Sequence, residues 1–334
     1  MLKHVPTSAI VPALLGVLLG AGAARAEGAR PLRQPPALHR VHSLHITMLS
    51  TMLADRGIGE WGFSALVEAD GRKILFDTGD YPETVLRNAR ELGVDLSGVT
   101  DVVLSHHHAD HTGGLLTLRR ALAAANPAAL SRIHVAPGIF LSRRDEGSDR
   151  EENPMVALRD SLERTGAVFV VHDKPVELAP GVWLTGPVPR PNNERNWSPG
   201  TRIVTPDALR PDSIPEDMSL VVATDKGLVI LTGCGHAGIV NIVAYSRRLL
   251  GGAPAYAVVG GLHLFAASDQ TLAWTADRLR SAGLVMLLGG HCTGIEAVYR
   301  LRQLAGLTRR TAVVAAVGSS FDLDRGIDPL ALAQ

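Results

Sequence analysis

Five side chains that can bind a metal ion lie within six residues of this sequence. The segment Ser105–Leu115 reads S-H-H-H-A-D-H-T-G-G-L, which holds four imidazoles and one carboxylate. Residues i and i+2 of an extended segment point to the same side, so His106 and His108 are predicted to hold one ion together. Asp110 and His111, turned by the start of a helix, would then face a second ion nearby. Mixed imidazole and carboxylate ligation suits zinc, and iron or manganese also accept it.

Three further histidines follow apolar runs that end in glycine. The runs are G-L-V-I-L-T-G-C-G-H, A-Y-A-V-V-G-G-L-H-L and L-V-M-L-L-G-G-H-C-T-G, and they lead to His236, His263 and His291. Seven of the thirteen histidines therefore lie at such turns: His106, His107, His108, His111, His236, His263 and His291. His107 is expected to be a bystander, because its side chain should point away from its two neighbours.

Strands and helices alternate around these turns. From Leu44 the pattern is rich in strands, with a hairpin predicted across A-D-G-R at residues 69–72 and a second strand pair across Asp225–Gly227. A helix is predicted from Pro82 to Leu92, and another follows the histidine cluster. The cluster thus lies on a strand-to-helix turn, where layered α/β proteins usually build their sites.

Composition narrows the class of protein. Lys plus Arg and Asp plus Glu both total 33 in 334 residues, and aromatic residues make up 4%, which argues against a nucleic-acid partner. Residues 1–26 resemble an export signal that ends at A-R-A, so we expect a periplasmic or secreted protein without stable membrane insertion after cleavage. A linker over 27–43, one domain over 44–325 and a tail over 326–334 complete the predicted organisation. Two polar insertions, at 142–154 and 187–200, are either functional lids or disordered.

The segment H-H-H-A-D-H, with L-F-D-T-G upstream, resembles the H-x-H-x-D-H signature of the metallo-β-lactamase superfamily, over about Leu44 to Gly318. The resemblance implies an α/β fold, an αββα sandwich with a two-metal site at one edge of its sheets. A narrower similarity points to dihydropterin-6-yl-methyl-(ribofuranosyl)aminobenzene 5′-phosphate synthase-like proteins. It rests on motifs such as E-W-G-F-S, G-C-G-H-A-G-I-V-N and H-C-T-G. This chain departs from that branch at His107 and Ala109, where glycine and tyrosine are usual.

The superfamily pattern also implies a set of metal ligands. The first ion would be held by His106, His108 and His236, and the second by Asp110, His111 and His291. Most relatives carry a bridging aspartate where this chain has Cys234, which is either a thiolate ligand or a neutral bystander. His263 and Asp217 are reserve ligands, and Asp77 is expected to orient the cluster from behind.

The chemistry expected from this set is hydrolysis of a small molecule. A binuclear site, zinc by default with iron or manganese as alternatives, would act through a metal-bound hydroxide on an ester, lactone or phosphoester-like substrate. Asp110 would be the catalytic proton acceptor. Two alternatives stay open: a transferase or synthase acting on a phosphoribosylated aromatic or pterin, and a metal-binding protein without turnover. Cys234 and Cys292 are expected beside the metals, where they could coordinate or form a disulfide.

Overall fold

The computed structural model describes residues 1–2, 38–194 and 196–333. The described residues exclude positions 3–37. This gap contains nearly all of the predicted export signal, its cleavage site and most of the predicted linker. Within the described ranges, no helix has both the length and the apolar character that a membrane crossing requires.

The described residues form eighteen strands and seven α-helices. The strands are β1 (Leu44–Ser50), β2 (Ser64–Ala69), β3 (Arg72–Phe76), β4 (Asp101–Val103), β5 (Arg132–Val135), β6 (Arg143–Asp145), β7 (Val168–Val171), β8 (Val176–Ala179), β9 (Val182–Leu184), β10 (Thr201–Val204), β11 (Leu209–Pro211), β12 (Leu220–Thr224), β13 (Gly227–Thr232), β14 (Ala257–Gly260), β15 (Met286–Gly289), β16 (Ala312–Val314), β17 (Ser320–Asp322) and β18 (Gly326–Asp328). The helices are α1 (Thr84–Leu92), α2 (Ala109–Thr112), α3 (Leu115–Ala123), α4 (Pro154–Glu163), α5 (Ile239–Leu249), α6 (Asp269–Ser281) and α7 (Ile295–Leu304).

Two large sheets and one small one result. In the described part of the chain the first sheet has the order β18-β17-β1-β2-β3-β4-β5-β7, and the second has the order β16-β15-β14-β13-β12-β9-β8. Strands β2 and β3 form the predicted hairpin, in which Ala69 pairs with Arg72. Strands β12 and β13 form the second one, in which Thr224 pairs with Gly227. Both hairpins are therefore confirmed.

Three apolar layers hold the sheets and helices together. The inner faces of the two sheets pack against each other through residues such as Ile46, Phe63 and Leu220. Leucines and valines of α1, α3 and α4 cover the outer face of the first sheet, and those of α5, α6 and α7 cover the outer face of the second. Burying one stripe of each helix against a sheet gives four layers, which confirms the predicted αββα sandwich.

The structure differs from the sequence-based expectations at two places. The segment 326–334, expected to be a tail, contributes β18, which pairs with β17 in the first sheet. The carboxylate of Asp322 accepts hydrogen bonds from the amides of Asp324 and Arg325, and this local turn allows the chain to fold back. The first polar insertion, expected to be a lid or disordered, contains β6, which pairs with β10 in a three-stranded sheet completed by β11.

Candidate metal centre

Parallel strands bring the predicted ligands to one edge of the sandwich. In the second sheet, Thr232 at the end of β13 pairs with Gly260 at the end of β14, and Gly260 pairs with Gly289 at the end of β15. The residues that follow these three strand ends therefore emerge side by side. The first sheet delivers the histidine cluster to the same place, between β4 and α2.

Glycines allow the motifs to pack closely around the site. A Cβ atom on Gly113 would lie 1.7 Å from the carbonyl oxygen of Asp80, and one on Gly114 would lie 2.3 Å from that of Thr78. Side chains at these positions would force apart the L-F-D-T-G loop and the helix that carries Asp110 and His111. The G-G of the histidine motif is thus required by packing rather than by chemistry.

Three histidines form the first group of potential ligands, the three-histidine group: His106, His108 and His236. The Nε2 atom of His106 lies 3.0 Å from Nδ1 of His108 and 3.2 Å from Nε2 of His236. Such spacings are close to the separation of about 3.3 Å between two nitrogen ligands of a tetrahedral zinc ion.

The neighbours of His106 and His236 determine which ring nitrogens carry protons. The hydroxyl of Ser105 donates to Asp77, so it can only accept at the Nδ1 atom of His106, which must then carry a proton. Nδ1 of His236 likewise donates to the carbonyl oxygen of Asn196. Both Nε2 atoms then direct lone pairs at each other across 3.2 Å, an arrangement that a cation between them would stabilise.

The electrostatic surroundings keep these rings neutral. Burial, reinforced by the neighbouring histidines, holds the pKa of His106 and of His236 well below the ordinary value. Burial and the nearby His107 lower the pKa of His108 to about 3. Neutral imidazole is the form that binds a metal ion, so the three-histidine group is prepared for a cation without losing protons.

Four residues form the second group, the mixed group: Asp110, His111, Cys234 and His291. Nε2 of His111 lies 3.1 Å from Sγ of Cys234, and Nε2 of His291 lies 3.3 Å from Oδ2 of Asp110. Neither ring nitrogen of the buried His291 has a hydrogen-bond partner among the described residues. Orphaned polar atoms at the centre of a fold call for an explanation, and a metal ion bound by His291 would supply it.

Asp77 organises both groups from behind. Its Oδ2 atom accepts from Nδ1 of His111 at 2.7 Å and from the hydroxyl of Ser105 at 2.7 Å, while Oδ1 accepts from the Ser105 amide. Burial disfavours a charged His111, but the carboxylates of Asp110 and Asp77 outweigh it and raise its pKa to about 9. Without a metal, the ring therefore holds a proton where a cation would otherwise lie. Asp77 thus lies behind the cluster and contacts it, at the position that an orienting residue would occupy.

Cys234 lies where the two groups meet. Its sulfur also lies within 4.8 Å of a ring nitrogen of His236 and of His263, and these three residues form a third, overlapping set of potential ligands. Cys292 is close by, with its sulfur 3.2 Å from that of Cys234, and both cysteines are free thiols. Burial raises the pKa of Cys234, so its thiolate form would require a neighbouring cation. The structure thus places both cysteines beside the potential ligands, as predicted.

Two sequence candidates take other places. Asp217, a reserve ligand, belongs to none of the ligand groups among the described residues, and its Oδ2 accepts from the backbone amide of Ala237. His107 lies outside the groups as well, with its Nδ1 2.7 Å from Oε1 of Glu216. Sequence reasoning missed Glu216 and its partner Arg143, because no local pattern links residues so far apart in the chain.

A cavity of about 740 Å³ adjoins the ligand groups. It lies between the second polar insertion and the chain around the start of α6, and His263 lines it on the side of the ligands. Trp197, Phe265 and Trp274 form its apolar wall, while the amides of Asn196 and Gln270 supply polar groups. A cavity of this size, lined by both apolar and polar side chains, can accommodate a small molecule.

A family profile and a similar sequence both match most of the described chain. A profile of the metallo-beta-lactamase superfamily matches residues 62–247. A protein of Methanocaldococcus jannaschii named 7,8-dihydropterin-6-methyl-4-(beta-D-ribofuranosyl)-aminobenzene-5'-phosphate synthase is 31% identical over 249 residues, which cover 71% of this chain and 82% of that protein.

Solved structures share the architecture. One described as a metal-dependent hydrolase of the beta-lactamase superfamily is similar with a TM-score of 0.69 at 26% identity, covering 83% of this chain and 98% of the other. The metallo-beta-lactamase fold protein YhfI of Bacillus subtilis has a TM-score of 0.51 at 14% identity, covering 84% of this chain and 99% of its own. At that identity the second likeness concerns the fold alone.

Proposed function

Since the chain belongs to the metallo-β-lactamase superfamily, we propose that it is a metal-dependent hydrolase that holds two ions, zinc by default. The observation that carries the proposal is the pair of lone-pair nitrogens of His106 and His236, which face each other across 3.2 Å. Two acceptor nitrogens cannot form a hydrogen bond with each other, whereas a divalent cation would bind both lone pairs. The unpartnered nitrogens of His291 support a second ion in the mixed group.

The residues fit such a pair of ions. The three-histidine group would hold one and the mixed group the other, with Cys234 next to both. Bound divalent ions supply Lewis acidity and make water a nucleophile near neutral pH. The rings of His106 and His111 have their centroids 4.2 Å apart, so both ions would be close enough to act on one substrate.

Protein side chains perform the remaining tasks. Asp110 is partly exposed while its group partners are buried, so it is the carboxylate that can meet a proton of the reacting water. Burial opposes its charged form, but His111 and His291 hold its pKa well below the ordinary value. His263 lies between the ligands and the cavity, and its buried Nδ1 has no partner among the described residues. Its ring lines the cavity, where it would contact a substrate.

The proposed substrate is a small molecule with an ester, lactone or phosphoester-like bond. It would lie in the cavity against Trp197 and Trp274. The guanidinium carbons of Arg190 and Arg278 lie 5.2 and 5.9 Å from the centroids of these two rings.

A second candidate is favoured by the M. jannaschii relative, whose name is that of a synthase. A transferase could use the same ligand groups and the same cavity, with a second substrate in place of water. We further propose that the protein is exported, since residues 1–26 resemble a cleavable signal.

The test combines metal analysis with a substrate panel. Purified mature protein should contain about two zinc ions per chain, and it should hydrolyse at least one of a lactone, a thioester, a phosphodiester and a β-lactam in a chelator-sensitive manner. A chain that binds no divalent ion would refute the metal centre. Two bound ions with turnover only in the presence of an acceptor other than water would favour the transferase.

A further inference from the structure

The middle histidine of the motif faces away from the ligand groups. His107 lies between His106 and His108, and its Nδ1 atom contacts Oε1 of Glu216 at 2.7 Å. The exposed fractions of the two side chains are 2% and 0%, so water does not weaken this contact. The orientation of His107 is therefore tied to a residue 109 positions further along the chain.

Glu216 is itself held by the first polar insertion. Arg143 of β6 donates from Nη2 to both carboxylate oxygens of Glu216, at 2.9 and 2.8 Å, and from Nε to Asp212 at 2.7 Å. Its Nη1 atom donates to the carbonyl oxygens of Gly138 and Leu141. Since all three nitrogens of this fully buried guanidinium are engaged, Arg143 is itself fixed and holds both carboxylate oxygens of Glu216.

The residues next to Glu216 contact the other parts of the three-histidine group. The carboxylate of Asp217 accepts from the amide of Ala237, which directly follows His236. The amide of Met218 donates to the carbonyl oxygen of Ser105, which directly precedes His106. The segment 216–218 thus contacts the chain beside each of the three histidines.

We propose that Glu216 and Asp217 are positioning residues for the three-histidine group, and that Arg143 holds Glu216 in place. The proposal rests on the proposed metal-dependent function. A buried arginine–carboxylate pair adds little stability over apolar residues of the same shape, because both charges lose their hydration. What it supplies here is direction: fixing the ring of His107 fixes the backbone on either side of it, and hence the aim of the flanking imidazoles.

The first experiment replaces Glu216 by glutamine, which keeps the shape and removes the charge. Glu216→Gln should lower the zinc affinity of the three-histidine group by about 10–100-fold, as changes behind metal-bound histidines usually do. The mixed group should keep its affinity. Competition with a chromophoric chelator measures both constants, and a cobalt-substituted sample should show altered absorption at one ion only.

A matched control exists at the other end of β4. Asp101 joins Arg132 and His134 in a similar histidine–carboxylate–arginine set, at 2.6 and 2.9 Å. Asp101→Asn should leave both zinc affinities unchanged. Histidine side-chain NMR of the metal-free protein adds an independent readout: the Nδ1 proton of His107 should give a strongly downfield signal that Glu216→Gln shifts and Asp101→Asn does not.

Several outcomes would overturn the inference. Equal weakening of both ions would show that Glu216 acts only through general stability, and unchanged affinities would show that it does not act at all. Should Glu216→Gln fail to fold, the triple variant Arg143→Met, Asp212→Asn, Glu216→Met removes all three buried charges together and should fold with the same selective loss. Wild-type protein without any bound ion would instead refute the proposed function.

Discussion

The three-histidine group and the mixed group lie side by side, yet they differ in charge. The first consists of neutral imidazoles, with no acidic side chain among its described members, whereas the second contains the carboxylate of Asp110 and the thiol of Cys234. A divalent ion in the first group would keep its full charge, and one in the second would be largely neutralised. A centre that held both ions would then divide the work, with the ion of the three-histidine group as the stronger Lewis acid.

Removing the carboxylate tests this division most severely. Asp110→Ala should lose the ion of the mixed group and reduce turnover by about 10²–10⁴-fold, because both a ligand and the proton acceptor are gone. Metal analysis should then find about one ion per chain, held by the three histidines. Asp110→Asn keeps the shape and serves as the comparison variant. Full activity of Asp110→Ala would show that the second ion is held in another way.

The cysteine tests whether negative charge or sulfur is what the mixed group requires. Cys234→Ala should weaken zinc binding by about tenfold or more and lower turnover with it, since the shared thiol lies at the junction of the groups. Cys234→Asp restores the charge and should keep both metal content and activity. If Cys234→Ala binds two ions and turns over normally, the residue only packs, and His263 becomes the better candidate ligand.

The pH dependence of the metal-free protein tests the protonation of the mixed group. The pKa of His111 is raised to about 9 in the folded protein, against an ordinary value of about 6.5. Folded protein thus holds a proton that unfolded protein lacks between these values, so the stabilisation is complete below pH 6.5 and is lost as pH rises through 9. Urea unfolding should show that the free energy of unfolding falls by about 3 kcal/mol as pH rises through this range.

Two controls isolate His111 in that measurement. A His111→Gln variant should lack the slope, and zinc-loaded wild type should lose it as well, because the ion takes the place of the proton. A slope of the same size in His111→Gln would assign the effect to other groups.

Much of the fold and of the centre follows from local sequence patterns. Apolar runs that end in glycine and histidine predicted the strand ends, and parallel pairing then brings together His236, His263 and His291, since the ends of such strands share one edge. Strand-like runs on either side of a D-G turn predicted the β2–β3 hairpin.

Long-range polar pairing could not be predicted in this way. The polar composition of Ser142–Pro154 predicted a separate insertion, whereas Arg143 within this segment pairs with Asp212 and Glu216. A buried ion pair has no periodicity, and a charged residue in a polar stretch resembles any exposed one. The β18 strand was missed for a related reason, because three residues are too few to show an alternating pattern.

The close packing of Gly113 against Asp80 has an evolutionary consequence. Since a Cβ atom on Gly113 would lie 1.7 Å from the carbonyl oxygen of Asp80, neither the histidine motif nor the loop after β3 can change its backbone alone. Any descendant of this chain that acquires alanine at position 113 must also reshape the loop around residue 80. The histidine motif and the loop after β3 are separate in the sequence, but they must change together. A substitution selected in one therefore restricts which substitutions the other can accept.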